Sequence, residues 1–392
     1  MRLGFYYHIP AIKKDGKILM PGYLGRFLDA LADNCEELIL FQHIPNSDEN
    51  AHFDYTIQSS KIKLVSLPQR ISVPYRVLHP EEFTGIIQEN LSSLDALLIR
   101  GPTPLLPAIA KTVKRIPTIF LIVGDYLAGV NTLPQPWWRK ELIRLWSWVN
   151  YKQQLHHAKH SLVFVNSRAL YRQFKDKVTC LGETRTTTLS QVDFFKRENT
   201  CLSFPIRLLY AGRLDSAKGL LDMVQALGLL VAQGYDMVLD LVGWAEEGSD
   251  ILLKINQEAI CAGVKDRIKF HGYKAVGPEL FDCYKNADIY LIASQSSFEG
   301  FPRTIWEAMA HSLPVVATRV GSIPDFVEGA AELAPPKDPA ALAQGIKHLV
   351  EHTELRKGYI QKGFALASQN TLEAQVGEMG DVIHKWMEGQ HE

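Results

Sequence analysis

Short apolar runs followed by helical stretches recur from one end of the chain to the other, and this alternation leaves little choice of architecture. In the first half, residues 3–7, 38–42, 95–99, 118–123, 162–166 and 178–181 read as strands. Pro21-Gly22-Tyr23-Leu24-Gly25 opens a helix that runs to about Asn34, and a second helix is expected near 104–114. The rhythm then restarts. Strands are expected at 206–210, 237–242, 268–270, 289–293 and 314–318, with helices at 218–231, 250–262, 278–286 and 302–311. Residues 339–351 and 371–387 read as closing helices. Strands that alternate with helices predict parallel sheets in an α/β fold.

Two such series, with a seam near 198–205, imply two doubly wound domains facing each other across one cleft. Ligands in these folds lie outside the carboxyl ends of the strands. Loops after the second-half strands are therefore expected to line the cleft. The length of 392 residues suits two domains. Lys plus Arg number 42 and Asp plus Glu 43, with 46% hydrophobic residues, so neither a disordered tail nor a globally basic nucleic-acid binder is expected. Cys35, Cys180, Cys201, Cys261 and Cys283 show no metal-ligand spacing and read as reduced, mostly buried thiols of a cytoplasmic protein. The first apolar run stops at His8, so no signal peptide is expected, and no run approaches the ~18–20 apolar residues of a membrane span.

The most informative segment runs from Ser294 to Ala310, directly after a predicted strand. Gly300 lets backbone approach a ligand closely. Pro302 suits the first turn of a helix, and free amides near Thr304 and Ile305 would form an anion site. Glu307 lies about 200° round from both Ile305 and Met309, so those two can bury while Glu307 faces the cleft. Glu299 precedes it in the loop. Taken alone, the pair reads more readily as a capping acid and a solvated glutamate.

A second strand-to-helix loop, Leu209 to Gly219, presents Arg213 and Lys218 between glycines. Arg213 can hold phosphate oxygens bidentately and Lys218 supplies a point charge. Taken alone, the loop reads as readily as two solvated cations.

In combination and in order, these segments carry a resemblance. The Gly212-Arg213…Lys218-Gly219 loop is followed by strand ends at Leu241-Val242-Gly243 and Phe270-His271-Gly272-Tyr273. Asn286-Ala287-Asp288 comes next, then Glu299-Gly300-Phe301-Pro302…Glu307-Ala308-Met309-Ala310 and Gly321-Ser322-Ile323-Pro324-Asp325. The chain resembles the family 4 retaining glycosyltransferases of GT-B fold, most strongly over 206–335. The resemblance implies a nucleotide-sugar donor held by the second domain. Arg213 and Lys218 would neutralise the diphosphate. Glu307 would take the ribose hydroxyls. Glu299 would hold the transferred sugar beside the backbone of Gly300, Phe301 and Pro302. The amides of Thr304 and Ile305 would touch phosphate, and the base would lie near Tyr273 and Lys274. On these roles, Glu307→Ala and Lys218→Ala should cripple transfer without unfolding the chain.

The first domain resembles the family less. Gly22 would bring a backbone amide to the distal phosphate, although the usual adjacent glycine pair is missing. Many members carry a histidine near the donor sugar, where this chain has Gly124-Asp125-Tyr126. Asp125 would bind a hydroxyl or act as a base, or else cap a loop. Residues 190–195 match the family segment before the interdomain linker. The resemblance thus divides the chain into 1–198 and 199–370, with 371–392 crossing back onto the first domain. Domains joined twice in this way can hinge.

The expected reaction moves a hexose from a nucleoside-diphosphate sugar to a glycan or lipid-linked acceptor, in exopolysaccharide or cell-envelope polysaccharide synthesis. UDP-glucose or another UDP-hexose is the expected donor and GDP-mannose its rival. No cofactor and no metal are expected, because the cations come from the protein and no DxD motif falls in a placed loop. No nucleic-acid partner is expected. Trp138, Leu142, Leu145, Trp146 and Val149 form a helical stripe beside basic residues. Such a stripe is usually core, and otherwise would touch an anionic membrane. A sugar-nucleotide epimerase and a non-catalytic nucleotide-sugar-binding scaffold remain as alternatives. A dinucleotide oxidoreductase lacks its GxGxxG after the first strand.

Overall fold

A computed structural model describes the chain except for residues 47–51, 115, 131–134, 297–299 and 390–392. It divides into two compact units, Met1–Thr186 with Leu372–Glu392, and Thr187–Thr371. The parallel strands of the first unit are β1 (Arg2–Tyr6), β2 (Glu37–Ile44), β3 (Ile62–Gln69), β4 (Ala96–Gly101), β5 (Thr118–Ile122), β6 (Leu162–Val165) and β7 (Cys180–Glu183). They lie in the order β7-β6-β5-β4-β1-β2-β3. β1 and β4 are buried along nearly their whole length, as strands covered on both faces must be. Helix α1 (Gly22–Asp33) packs Leu24, Leu28 and Leu31 into the core, and α2 (Trp137–Ala158) lies later in the same unit.

The second unit repeats the plan with β8 (Ile206–Ala211), β9 (Met237–Val242), β10 (Ile268–Gly272), β11 (Ile289–Ile292), β12 (Val315–Thr318) and β13 (Glu332–Ala334). Their order is β10-β9-β8-β11-β12-β13. In both sheets the chain works outward one way from the first strand, then returns and works outward the other way. The reversal point lies between β1 and β4 in one unit and between β8 and β11 in the other. Ligands bind at such points, beyond the carboxyl ends of the strands. Helices α3 (Leu220–Ala232), α4 (Pro278–Lys285) and α5 (Arg303–Ala310) bury apolar residues against the second sheet. The last helix, α6 (Leu372–Glu388), places Val376, Met379 and Ile383 in the same core as Leu24 and Leu28 of α1.

Several local readings change. Residues 187–198, grouped with the first domain on sequence, are tied to the second unit. Leu189 lies in its core, the Phe195 amide donates to Ala310 O, and Arg197 donates to the carbonyls of Tyr284, Lys285 and Ala287. A small antiparallel sheet of Ile12–Lys14, Lys17–Met20 and Tyr55–Thr56 fills the loop after β1. Strand β3 escaped the sequence reading because it is an edge strand with an irregular burial pattern and a proline at position 68. The helix Thr353–Ser368 escaped it because its inner face carries Arg356 and Gly363 beside Ile360 and Ala367. The thiols are not mostly buried: Cys35 is, Cys180, Cys201 and Cys283 are partly covered, and Cys261 is exposed. No helix among the described residues is long and apolar enough to cross a membrane.

Candidate functional site

Three strand ends of the second sheet are laced together by glycines. The Gly212 amide donates to Val242 O at 2.9 Å, the Gly243 amide to Gly272 O at 2.8 Å, and the Leu214 amide to Trp244 O at 2.7 Å. Gly243 has φ of 144°, and a Cβ there would lie 1.8 Å from Gly212 O. No other residue fits that crossing.

The loop after β8 and the loop after β11 meet at the reversal point. The Gln295 amide donates to Ala217 O at 2.8 Å. Gly219, left-handed at φ 66°, sits so close that a Cβ would fall 1.9 Å from Ala293 O. This glycine ends the short 3-10 turn Ser216–Lys218 and opens α3. Asp215 starts the turn by accepting the Ala217 amide at 2.8 Å. Lys218 is thereby held on a capped turn between the two loops.

Arg213 sits between two carboxylates. Its Nε donates to Asp215 at 2.7 Å and one terminal nitrogen donates to Glu246 at 2.9 Å. Partial burial works against the Arg213 charge, but the two carboxylates outweigh it and raise its pKa above the ordinary arginine value. Arg213 and Glu246 are solvent-exposed and Asp215 is partly covered, so a phosphate can replace or share these pairs at small cost. The guanidinium also has donors beyond these two. The cationic pocket read from sequence is therefore a balanced one. Glu246 and Trp244 were missed by that reading, although both follow the Gly243 strand end. Trp244 meets Tyr273 edge to face at 5.2 Å, and both rings are partly exposed. Lys274 donates to Glu279 at 3.3 Å and helps line a cavity of about 310 Å³ with His271, Asp282 and Cys283. Beneath it, buried Asp240 bonds His271 Nε2 at 2.7 Å and pairs with Arg207 at 2.7 Å.

Glu307 does not face outward. It is 1% exposed, because α5 is buried on all sides from Ile305 to Ala310. Thr188 donates to one carboxylate oxygen at 2.6 Å and Tyr284 to the other at 2.7 Å. The burial of Ile305 and Met309 does not leave Glu307 outside, because the whole helix is enclosed; Trp306 is buried too and packs against Phe301 with ring centroids 4.3 Å apart. The Ile305 amide is not free either, since it donates to Pro302 O at 3.0 Å. Thr304 Oγ1 lies 2.6 Å from the Tyr290 hydroxyl, which also reaches Ala211 O. Gly300 is exposed, and among the described residues no atom beyond its chain neighbours lies within 4 Å of where a Cβ would point. Glu299 lies outside the described residues.

In the first unit the Gly22 amide is taken by Asp54 at 2.7 Å. Asp125 caps the short helix Tyr126–Gly129 by accepting the Leu127 amide at 2.8 Å, and its other oxygen lies 3.4 Å from Gln173. Among the described residues, no three His, Cys, Asp or Glu side chains are arranged to hold a metal ion.

Residues 205–352 match the model of a family described as glycosyl transferases group 1. The amylovoran biosynthesis glycosyltransferase AmsK of Erwinia amylovora is 32% identical over 146 residues, 36% of this chain and 34% of that protein. The O-antigen chain mannosyltransferase B of Escherichia coli is 29% identical over 169 residues, 42% of each chain. This chain thus matches about a third to two fifths of the length of these relatives. Anabaena HepE, solved in complex with UDP, superposes with a TM-score of 0.72 at 18% identity, covering 98% of this chain and 100% of that one. The fold is therefore GT-B, built from two Rossmann-like domains.

Proposed function

We propose that this chain is a retaining hexosyltransferase. It takes its sugar from a nucleoside diphosphate, UDP-glucose or another UDP-hexose, and passes it to a glycan or lipid-linked acceptor in exopolysaccharide or cell-envelope polysaccharide assembly. The observation that carries this reading is the meeting of two strand-end loops at the second reversal point, where Gly219 and Gly243 let protein segments pack together and Arg213 and Lys218 stand on the loop they hold. The relatives make amylovoran and O-antigen, by their names. HepE was also solved with UDP and glucose and with UDP-glucose.

In the proposed reaction the anomeric C–O bond to the diphosphate breaks, and negative charge builds on the departing oxygen. Arg213 and Lys218 stabilise that charge where it develops, often the largest catalytic term. The acceptor oxygen bonds the anomeric carbon on the face the diphosphate leaves, and its proton passes to the departing phosphate. Configuration is retained with no protein nucleophile and no metal. Glu299 and the backbone of Gly300, Phe301 and Pro302 hold the sugar, Thr304 lies at the phosphate, and Tyr273 with Lys274 receives the base. Glu307 enters as the buried anchor of α5. Asp125 enters through its cap, which fixes the loop after β5.

A thermal-shift series with UDP, GDP and their hexoses tests the donor, since a ligand that binds only the folded chain raises its melting temperature. A rise with UDP and UDP-glucose, lost in Lys218→Ala, is expected. A larger rise with GDP-mannose would change the base, and no rise with any nucleotide would overturn the reading.

A further inference from the structure

Helix α2 is built inside out. Ser147, Asn150 and Gln154 face the interior at 1–4% exposure. Trp137 is 78% exposed, Trp138 52%, Leu142 60%, Leu145 60% and Trp148 48%. At 100° per residue the two sets fall on opposite faces of the helix. The inner face is polar for a local reason: with Asp125 and Gln173 it lines a water-sized cavity of about 10 Å³. That leaves the outer face largely apolar, interrupted by Glu141 and Lys152, and among the described residues its large side chains stand exposed. A contiguous apolar patch of this kind marks an interaction site rather than ordinary surface.

The charge around the patch selects its partner. Arg139, Lys140, Arg144 and Lys152 lie on this helix against a single acid, Glu141, which pairs with Arg144. The Lys152 ammonium sits 5.7 Å from the centre of the Trp148 ring. At the end of the helix, Lys114, His157 and His160 line a cavity of about 500 Å³ beside Trp386, with no carboxylate among its described lining residues. Tryptophan and leucine on one face, flanked by long cationic side chains, is the chemistry of a helix that lies in a lipid headgroup layer. The helix is 22 residues long but carries too many charged and polar residues to span.

We infer that the outer face of α2 docks this protein onto an anionic lipid bilayer, with the helix parallel to the membrane plane. This does not depend on the transferase reading.

Flotation of the whole chain with vesicles tests it. Vesicles of equal parts phosphatidylcholine and phosphatidylglycerol should carry the protein, and phosphatidylcholine alone should carry much less. Trp138→Ser, Leu142→Ser and Trp148→Ser combined should lower the bound fraction about tenfold or more with an unchanged melting temperature, because the replaced side chains are exposed. Arg139→Gln with Lys152→Gln should lower it severalfold, and added salt should do the same. Failure of the native chain to float with anionic vesicles would overturn the inference. So would undiminished binding by the triple variant, or sedimentation showing that this face closes a dimer which the triple variant dissolves.

Discussion

Tyr284 donates its phenolic hydrogen to Glu307 at 2.7 Å, and both side chains are shut off from solvent. Burial, and then the Glu307 charge, push the Tyr284 pKa well above its ordinary value, so the phenol stays a donor. Thr188 serves the other oxygen from 119 residues away in sequence. The carboxylate thus ties the chain segment entering the second unit to α4 and α5.

Glu307→Ala is therefore expected to destabilise the protein, contrary to the tolerance read from sequence. It strands two buried hydroxyls, at about 1–3 kcal/mol each. Tyr284→Phe should cost about 1.5–3 kcal/mol, the worth of a bond to a charged acceptor. Urea unfolding checks both. A native midpoint in Glu307→Ala would mean that the carboxylate is solvated after all.

Arg213→Ala should behave in the opposite way. Arg213 and Glu246 are exposed and Asp215 is only partly covered, so stability should change by less than about 1 kcal/mol. UDP affinity should fall about tenfold or more, because a charge-assisted phosphate contact is lost. Titration calorimetry on the variant and on Lys218→Ala measures this. Unchanged affinity in both would remove these cations from the site.

Two glycines separate architecture from ligand contact. Gly243→Ala drives a methyl into Gly212 O, so it should cost about 3 kcal/mol or more and abolish donor binding together with stability. Gly300→Ala meets no atom of the described residues beyond its chain neighbours and should leave stability within about 0.5 kcal/mol. A loss of donor affinity in Gly300→Ala alone would then report a ligand backed against that position. Equal affinity would place the sugar elsewhere.

Acid should destabilise the first unit. Burial pushes His43 down to about 4, with Arg76 and Arg70 adding to the effect despite a bond to Pro68 O. Because that carbonyl only accepts, Nδ1 carries the proton, and Nε2 accepts from Tyr6. The unfolded histidine titrates near 6.5. Between about 6.5 and 4 the unfolded chain binds the extra proton, so stability falls as pH falls, by about 3 kcal/mol in all. His8, held near 3 chiefly by burial, adds to the slope. His43→Asn should keep the bond to Pro68 and flatten the pH dependence of the unfolding midpoint. An unchanged slope would show that His43 is not the source.

Asp125→Asn tests the remaining polar candidate. Asparagine caps a helix about as well as aspartate, so stability should hold, whereas Asp125→Ala should cost about 1 kcal/mol. If Asp125 works only as a cap, transfer by Asp125→Asn stays within about threefold of native in a product assay. A collapse of transfer with intact stability would make it a base.

Most of the strand plan was legible because a parallel strand buried on both faces must be apolar throughout. β4, β5, β8, β9, β11 and β12 all stand where apolar runs predicted them. The edge strand β3 was not legible, since half of it faces solvent or loops. At the site, the glycine loops were legible because only glycine permits the crossing at Gly243 or the turn at Gly219. The state of the groups they position was not. Glu246 beside Arg213, Asp54 on the Gly22 amide and Pro302 O on the Ile305 amide are partners that no spacing reveals.

The amino-acid sequence by itself determined two doubly wound halves and the strand-end loops at which a ligand is expected. Those depend on local periodicity and on glycine's freedom of φ, and both are written in neighbouring residues. Only the tertiary structure decided which way Glu307 points and which face of α2 meets solvent. A helical period says which residues share a face, but which element covers that face is set by contacts between residues far apart in the chain. Glu307 is covered by Thr188 and Tyr284, and its charge is drawn inward. Trp137, Trp138 and Trp148 of α2 stand exposed instead, because the inward side of that helix is given to Ser147, Asn150 and Gln154.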